Sequence, residues 1–336
     1  MRISLLLAFI YCAFTACSPS EKSVSQQANN SNSADTSRIE TGGIKLIQID
    51  GKYTVWTKKV GSGAIKVLLL HGGPGMTHEY FECLESYFPQ ENVEFYYYDQ
   101  LGSHYAEQPT DTALWRTARF VEEVEQVRKA LGLTQFYLLG HSWGGLLGME
   151  YALKYPHEIK GLVISNMVAD VNRYVAYNKQ LRAALPDSLI KILEKYEAVR
   201  DFKNPVYQDV VFNQIYAKHV CRVVPFPDPV QRALRHVNEQ VYVSMQGPNE
   251  FIFEGVLEGW TVWNRLKELT MPTLVVGAKY DTMNPADMEE MSRIIPNARY
   301  LFCPNGSHMC MYDDQKTYVQ GVLSFLKDVQ SGAFKK

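Results

Sequence analysis

The chain is 336 residues long, with 34 Lys and Arg against 36 Asp and Glu, a formal charge of −2, and 46% apolar residues. This balance excludes a nucleic-acid binder held by bulk positive charge, since phosphate neutralisation needs a clustered basic surface. Six cysteines, at 12, 17, 83, 221, 303 and 310, form neither a CxxC pair nor a zinc-ligand spacing, so neither a disulfide framework nor a metal knuckle is expected.

In chain order, the first segment reads as an address. Arg2 precedes an apolar run of twelve residues, Ile3 to Phe14. At helical rise it reaches about 18 Å, short of a hydrocarbon core of about 30 Å, so residues 1–16 read as a secretory signal. Phe14-Thr15-Ala16-Cys17 resembles the bacterial lipobox, cut before a cysteine that is then lipidated, although Phe14 stands where leucine is usual. The alternative is an ordinary signal peptide cut nearby, with Cys17 incidental. Residues 17–42 would follow as a lipidated cysteine and tether. From Ser18 to Arg38 there are seven Ser, three Asn, no aromatic residue and only Val24 as a large aliphatic. Such a stretch cannot offset its ordering entropy and spans on the order of 25 Å as a coil. The expectation is an exported bacterial lipoprotein of the cell envelope, held to a membrane through Cys17.

From Ile44 the pattern changes. Ile44–Ile49 and Tyr53–Thr57 flank Asp50-Gly51-Lys52, a hairpin signal. Short apolar runs at Ile65–Leu70, Val93–Tyr98, Phe136–Leu139, Gly161–Ser165, Thr273–Val276 and Arg299–Phe302 read as strands buried on both faces. Between them lie helical patterns, clearest at Leu114–Leu131, where Phe120, Val121, Val124, Val127 and Leu131 make one stripe. The alternation predicts an α/β fold with a mostly parallel, doubly wound sheet. Residues 43–166 and 264–336 supply its two parts. Residues 167–263 break the alternation with helical pieces at Asn178–Leu185 and Ser188–Glu197 and many prolines. They read as a helical cap inserted over the strand ends, where ligands bind in open α/β sheets.

Three turns carry chemistry. Gly140-His-Ser-Trp-Gly144 follows one strand and opens a helix, which is G-x-S-x-G in its required setting. Ser142 is the candidate nucleophile; the plainer reading is a serine N-cap in a glycine-rich turn. Leu70-His-Gly-Gly-Pro-Gly75 follows another strand, and its backbone can approach a reacting carbonyl. The N–H groups of Gly73 and Trp143 would then form an oxyanion hole. A serine hydroxyl needs a base oriented by an acid. Of eight histidines, His308 sits in a turn just after the last strand, and Asp281 follows the strand Thr273–Val276. Asp287 is the competitor but falls in a helix. The order Ser142, Asp281, His308 is that of α/β-hydrolases.

At these residues the chain resembles the proline iminopeptidases, most closely the branch of the tricorn-associated aminopeptidase. The resemblance runs from about Ile44 to the C-terminus. It rests on His71-Gly-Gly-Pro-Gly75, Tyr98-Asp-Gln-Leu-Gly102, Gly140-His-Ser-Trp-Gly-Gly145, Gly247-Pro-Asn-Glu-Phe251 and the two triad turns. It implies an α/β-hydrolase fold with an inserted helical cap domain, and that Glu250 binds the substrate's free α-amino group. Phe251, Phe253, Trp260 and Trp263 could wall a pocket for the first residue, although such aromatics are more often ordinary core, the reading favoured for Trp263 in particular. Two departures stand out. Thr282 occupies the place of a second acid found in some relatives, and Leu101 replaces an arginine in Asp99-Gln-Leu-Gly102.

The resulting expectation is a prolyl aminopeptidase acting on short peptides with a free N-terminus, with no metal or other cofactor and no nucleic-acid partner. An esterase on the same fold and a catalytically silent peptide-binding lipoprotein are the alternatives. Cys83, Cys303 and Cys310 are expected to be buried packing rather than sensors.

Overall fold

In the computed structural model, residues 43–336 and the two-residue strand β1 (Ile39–Glu40) are described. The expected signal, Cys17 and most of the tether lie outside the described residues.

The apolar runs become the strands β2 (Ile44–Ile49), β3 (Tyr53–Val60), β4 (Ile65–Leu70), β5 (Val93–Asp99), β6 (Phe136–His141), β7 (Ile159–Ser165), β8 (Thr273–Ala278) and β9 (Ala298–Cys303). They form one sheet in the order β1-β2-β3-β5-β4-β6-β7-β8-β9. The hairpin strands and the β3–β5 pair are antiparallel, and every pair from β5 onward across the sheet is parallel. The alternation of side chains follows from the pleat. Leu68 and Leu70 belong to one core layer, Val67 and Leu69 to the other.

The first layer contains α1 (Thr117–Ala130), α2 (Trp143–Lys154) and α9 (Pro285–Ile294); the second contains the 3₁₀ helix His78–Ser86 and α11 (Gln315–Ser331), reached through α10 (Cys310–Asp313). The predicted helix Leu114–Leu131 begins three residues late, at Thr117. Asp111 caps a separate 3₁₀ turn, Thr112–Leu114, and buried Trp115 with extended Arg116 separates the two.

Between β7 and β8 run α3 (Val171–Ala183), α4 (Asp187–Ala198), α5 (Pro205–Val210), a π-helical turn Val211–Tyr216, α6 (Ala217–His219), α7 (Asp228–Arg235) and α8 (Glu239–Met245). Asp170 caps α3 by accepting from the N–H groups of Asn172 and Arg173, which sets its start seven residues before the predicted Asn178. The cap has a small core of its own around Leu193, Tyr207, Val210, Val211 and Ile215. It is joined to the sheet's second layer by α7. There Arg232 donates to Glu79 (2.6 Å), which also accepts from Thr77 Oγ1 (2.7 Å), His236 Nδ1 (2.7 Å) and Tyr105 (3.0 Å). Burial alone would raise the Glu79 pKa, but these donors hold it down to about 2.

Among the described residues no helix is long and apolar enough to cross a membrane. Cys221, Cys303 and Cys310 are buried and Cys83 is half-buried, all as free thiols.

Candidate active site

Because β4 to β9 run parallel, the turns after them share one edge of the sheet. Ser142 stands between β6 and α2 with φ 56° and ψ −128°, a strained backbone for a residue with a side chain. The turn closes only around glycines. A Cβ at Gly140 would lie 2.0 Å from the carbonyl oxygen of Gly144, and one at Gly144 2.0 Å from that of Leu70. Ser142 N–H donates to Ser165 O (3.0 Å), fixing the turn to β7.

Asp281 follows β8 and is fully buried. Its Oδ1 accepts from His308 Nδ1 (2.8 Å) and the N–H of Met283 (3.1 Å), and its Oδ2 accepts from Asn166 Nδ2 (2.7 Å). Asn166 faces this way because Asp281 Oδ2 and Ser307 O only accept, while its Oδ1 receives Ser165 Oγ (2.8 Å) and Cys310 Sγ (3.2 Å). Burial by itself would lower the His308 pKa. The charge and hydrogen bond of Asp281, with further negative charge at Glu250 and Asp313, instead lift it above the ordinary histidine value. With Nδ1–H committed to Asp281, the lone pair of His308 sits on Nε2. Ser142 and His308 line one chamber, and among the described residues no hydrogen bond joins them. Bonds of this kind commonly tighten only with substrate in place.

Neighbouring groups hold the histidine's backbone. His141 Nε2–H donates to the carbonyl of His308 (2.8 Å), leaving Nδ1 to accept from Tyr80 (3.2 Å). Burial, then the charge of His308, pushes the His141 pKa down to about 3, so it stays a neutral strut. From the cap, His219 O accepts His308 N–H (3.0 Å) and Val220 O accepts Met309 N–H (2.7 Å). Asp287, the competitor acid, lies in α9 and pairs with Arg173 (2.8 Å).

On the loop after β4, Gly72 N–H donates to Tyr80 (2.6 Å) and is therefore occupied. Gly73, with φ 110°, follows; a Cβ there would strike the N–H of Met76 at 2.7 Å. Among the described residues neither Gly73 N–H nor the helix-opening Trp143 N–H has an internal acceptor.

Glu250 comes from the irregular segment after α8 and is half-buried. Its Oε1 accepts from Tyr242 (2.6 Å) and its Oε2 from Tyr174 (2.7 Å). Burial, then the Glu250 charge, holds both phenols well above the usual tyrosine range, so they remain donors. Thr282 Oγ1 turns to Asp281 (3.4 Å) and supplies no second acid.

Two cavities meet here. A small apolar one is walled by Leu146, Met167, Phe253, Leu257 and Met283. The other is a chamber of about 690 Å³ reaching under the cap past His308, Tyr216 and Arg235. Ser142 and Glu250 are the two residues that line both. Of the four aromatics proposed as pocket walls, only Phe253 serves as one. Phe251 packs into the cap's own core, Trp260 Nε1 donates to Glu150 (2.7 Å), and Trp263 lies under the Arg173 guanidinium at 3.7 Å. Tyr174, Tyr242 and Asn166 escaped the sequence reading. Their contacts span separations such as 76 and 115 residues, which no local spacing reports. Among the described residues no group of three or more His, Cys, Asp and Glu is placed to hold a metal ion.

A serine on a strained strand–helix turn, with an Asp–His pair on the last two strand ends of such a sheet, defines an α/β-hydrolase. A family profile described as alpha/beta hydrolase fold matches residues 66–315. The chain is 50% identical over 289 residues to a proline iminopeptidase of Elizabethkingia meningoseptica, covering 84% of this chain and 97% of that one. It is 51% identical over 283 residues to that of Flavobacterium johnsoniae, covering 83% and 95%. The solved proline iminopeptidase of Mycobacterium smegmatis superposes with a TM-score of 0.78 at 30% identity, over 86% of this chain and 99% of its own. The chain belongs to the proline iminopeptidase family, and it is a hydrolase of the prolyl aminopeptidase kind.

Proposed function

We propose that the chain releases N-terminal residues, preferably proline, from short peptides, using Ser142 as nucleophile, His308 as base and Asp281 as its orienting acid. The observation that carries this reading is the junction of the two cavities, lined on both sides by Ser142 and Glu250. The small apolar recess, at about 10 Å³, holds no more than a water as it stands, so a peptide's first residue enters it as its walls part, and the remainder occupies the chamber. Its α-ammonium, cationic below a pKa of about 8, pairs with the Glu250 carboxylate in a charge-assisted bond. That bond sets the first carbonyl against Ser142.

Ser142 Oγ attacks this carbonyl while His308 Nε2 takes its proton, and the Gly73 and Trp143 N–H groups receive the oxyanion. When the C–N bond breaks, His308 returns the proton to the leaving amine. Water, activated by His308, then hydrolyses the aminoacyl ester. The small pocket's apolar walls suit a compact ring better than a charged side chain, with Tyr174, Gln246 and Glu250 in the polar part of its lining.

The test uses proline, alanine and N-blocked proline arylamides. Free proline should be cleaved fastest and the blocked substrate hardly at all. Ser142→Ala should lose on the order of 10⁴-fold or more. Equal cleavage of blocked substrates would mean a general hydrolase in which Glu250 reads no amine.

The chain is further proposed to be exported and lipid-anchored at Cys17, on the strength of Phe14-Thr15-Ala16-Cys17 and the Ser/Asn-rich stretch after it. Metabolic labelling with a palmitate analogue should mark the native chain and leave Cys17→Ser unlabelled.

A further inference from the structure

The motif Tyr98-Asp-Gln-Leu-Gly102 has so far no part in the chemistry, yet its central side chain is 1% exposed and lies between the two halves of the oxyanion hole. Gln100 N–H donates to His71 Nε2 (3.1 Å), and its Nε2 donates to the carbonyl of His71 (3.2 Å). Its Oε1 accepts from Trp143 Nε1 (2.8 Å). The amide orientation is therefore fixed from both ends. Because His71 Nε2 is an acceptor here, and of Ser103 Oγ as well (3.2 Å), its proton sits on Nδ1, which donates to Gly72 O (2.8 Å). One side chain thus grips the loop that carries Gly73 and the residue that carries the other free N–H.

The grip is itself anchored. Asp99 Oδ1 accepts the N–H (2.8 Å) and ring Nδ1 (2.9 Å) of His78. On the other side, buried Glu123 accepts Leu101 N–H (2.8 Å) and the Tyr98 hydroxyl and pairs with Arg119. The segment cannot slide to follow a displaced Trp143 without breaking buried polar contacts.

We infer that Gln100 is a positioning residue for the oxyanion hole, holding the Gly73 and Trp143 N–H groups at one fixed separation. The inference rests on the serine-nucleophile reading above and not on proline preference. A displacement on the order of 1 Å in such a site costs about 10²-fold in rate. It acts on the tetrahedral species and not on the bound substrate.

The variants are Gln100→Met, which keeps length and removes both side-chain bonds, to His71 O and from Trp143, while leaving the backbone bond to His71 Nε2; Gln100→Glu, which keeps the acceptor for Trp143; and Trp143→Phe, which removes the Trp143 bond from the other side. The substrates are a proline arylamide and p-nitrophenyl acetate, which has no amine. Gln100→Met should lower kcat about 10²-fold on both substrates with KM within about twofold, and Gln100→Glu should recover part of it. Trp143→Phe should lower kcat as well, and the double variant should be no worse than the poorer single one, since Gln100→Met already breaks the one bond that Trp143→Phe removes. Unchanged kcat, a loss confined to KM, or additive losses would overturn the assignment. If Gln100→Met does not fold, as its melting would show, Trp143→Phe decides alone: normal kcat refutes the inference. Failure of the aminopeptidase reading shows separately, as Glu250→Gln with full activity on the proline substrate, and leaves the ester results standing.

Discussion

Glu250 shows how much of a side chain's role is conferred by its neighbours. A glutamate on an irregular segment would ordinarily be solvated and multiply oriented. Here two phenols that remain protonated take one oxygen each and aim the carboxylate at the cavity junction. Glu250→Gln should therefore cost roughly 10–100-fold in kcat/KM on free N-terminal substrates, the worth of a hydrogen bond to a charge, while p-nitrophenyl acetate hydrolysis holds. Tyr242→Phe should show a smaller loss of the same kind in the same paired assay. At His308 the effect is on pH. Its pKa is raised, so in its proposed role as base it is protonated and idle until pH exceeds a value above the ordinary 6.5 or so of histidine. The acid limb of kcat/KM should fall there. Asp281→Asn should move that limb to lower pH and cut kcat by about 10⁴-fold; a limb that stays put would mean another group titrates.

At the scale of elements, the joint between α7 and the 3₁₀ helix His78–Ser86 is the clearest case of a local charge cluster holding large pieces together. Glu79 is ionised down to about pH 2 when folded, against about 4.3 for a free glutamate. Its contribution is thus complete above the unfolded value and fades as pH falls through the interval towards 2. Glu79→Gln should lower the melting temperature by roughly 2–6 °C at neutral pH. The gap should narrow below about pH 4, as thermal melts across pH would show; a constant gap would exclude an ionised Glu79.

Strand identity was legible because the runs are largely apolar and bounded by glycines or polar turns; all eight predicted strands lie within observed ones, although Arg299–Phe302, expected to be buried on both faces, is the edge strand β9 and leaves Phe302 exposed. Helix starts were less so: the stripe at Phe120–Val127 is plain, yet Trp115 and Arg116 interrupt its approach for a tertiary reason. Ser142, Asp281 and His308 could be put forward from the sequence because each lies within a few residues of a strand end, and the structure brings them to one edge of the sheet. Composition does not say which way a ring faces: Phe253 lines the small pocket, while Trp260 turns to Glu150 and Trp263, as favoured, packs elsewhere, under Arg173.

For the whole molecule, the sheet brings groups from six strand ends to one edge, and the cap closes over them. The cap is tied to that edge by main chain as well as by side chains. His219 and Val220 accept from His308 and Met309, Asn238 N–H donates to Gly75 O (2.9 Å), and Asn238 Nδ2 donates to Gly102 O (2.8 Å). These seams lie beside the base and beside the oxyanion loop. They limit how such an enzyme can be rebuilt. Swapping the insertion for that of another hydrolase, as one exchanges cassettes, would remove acceptors that the base's own turn depends on. Chimeras that preserve residues 219–220 and Asn238 should keep ester turnover, and those that replace them should lose it even with every triad residue in place. New specificities in this scaffold are therefore more accessible through the walls of the small pocket, at Met167, Phe253 and Met283, than through wholesale replacement of the roof.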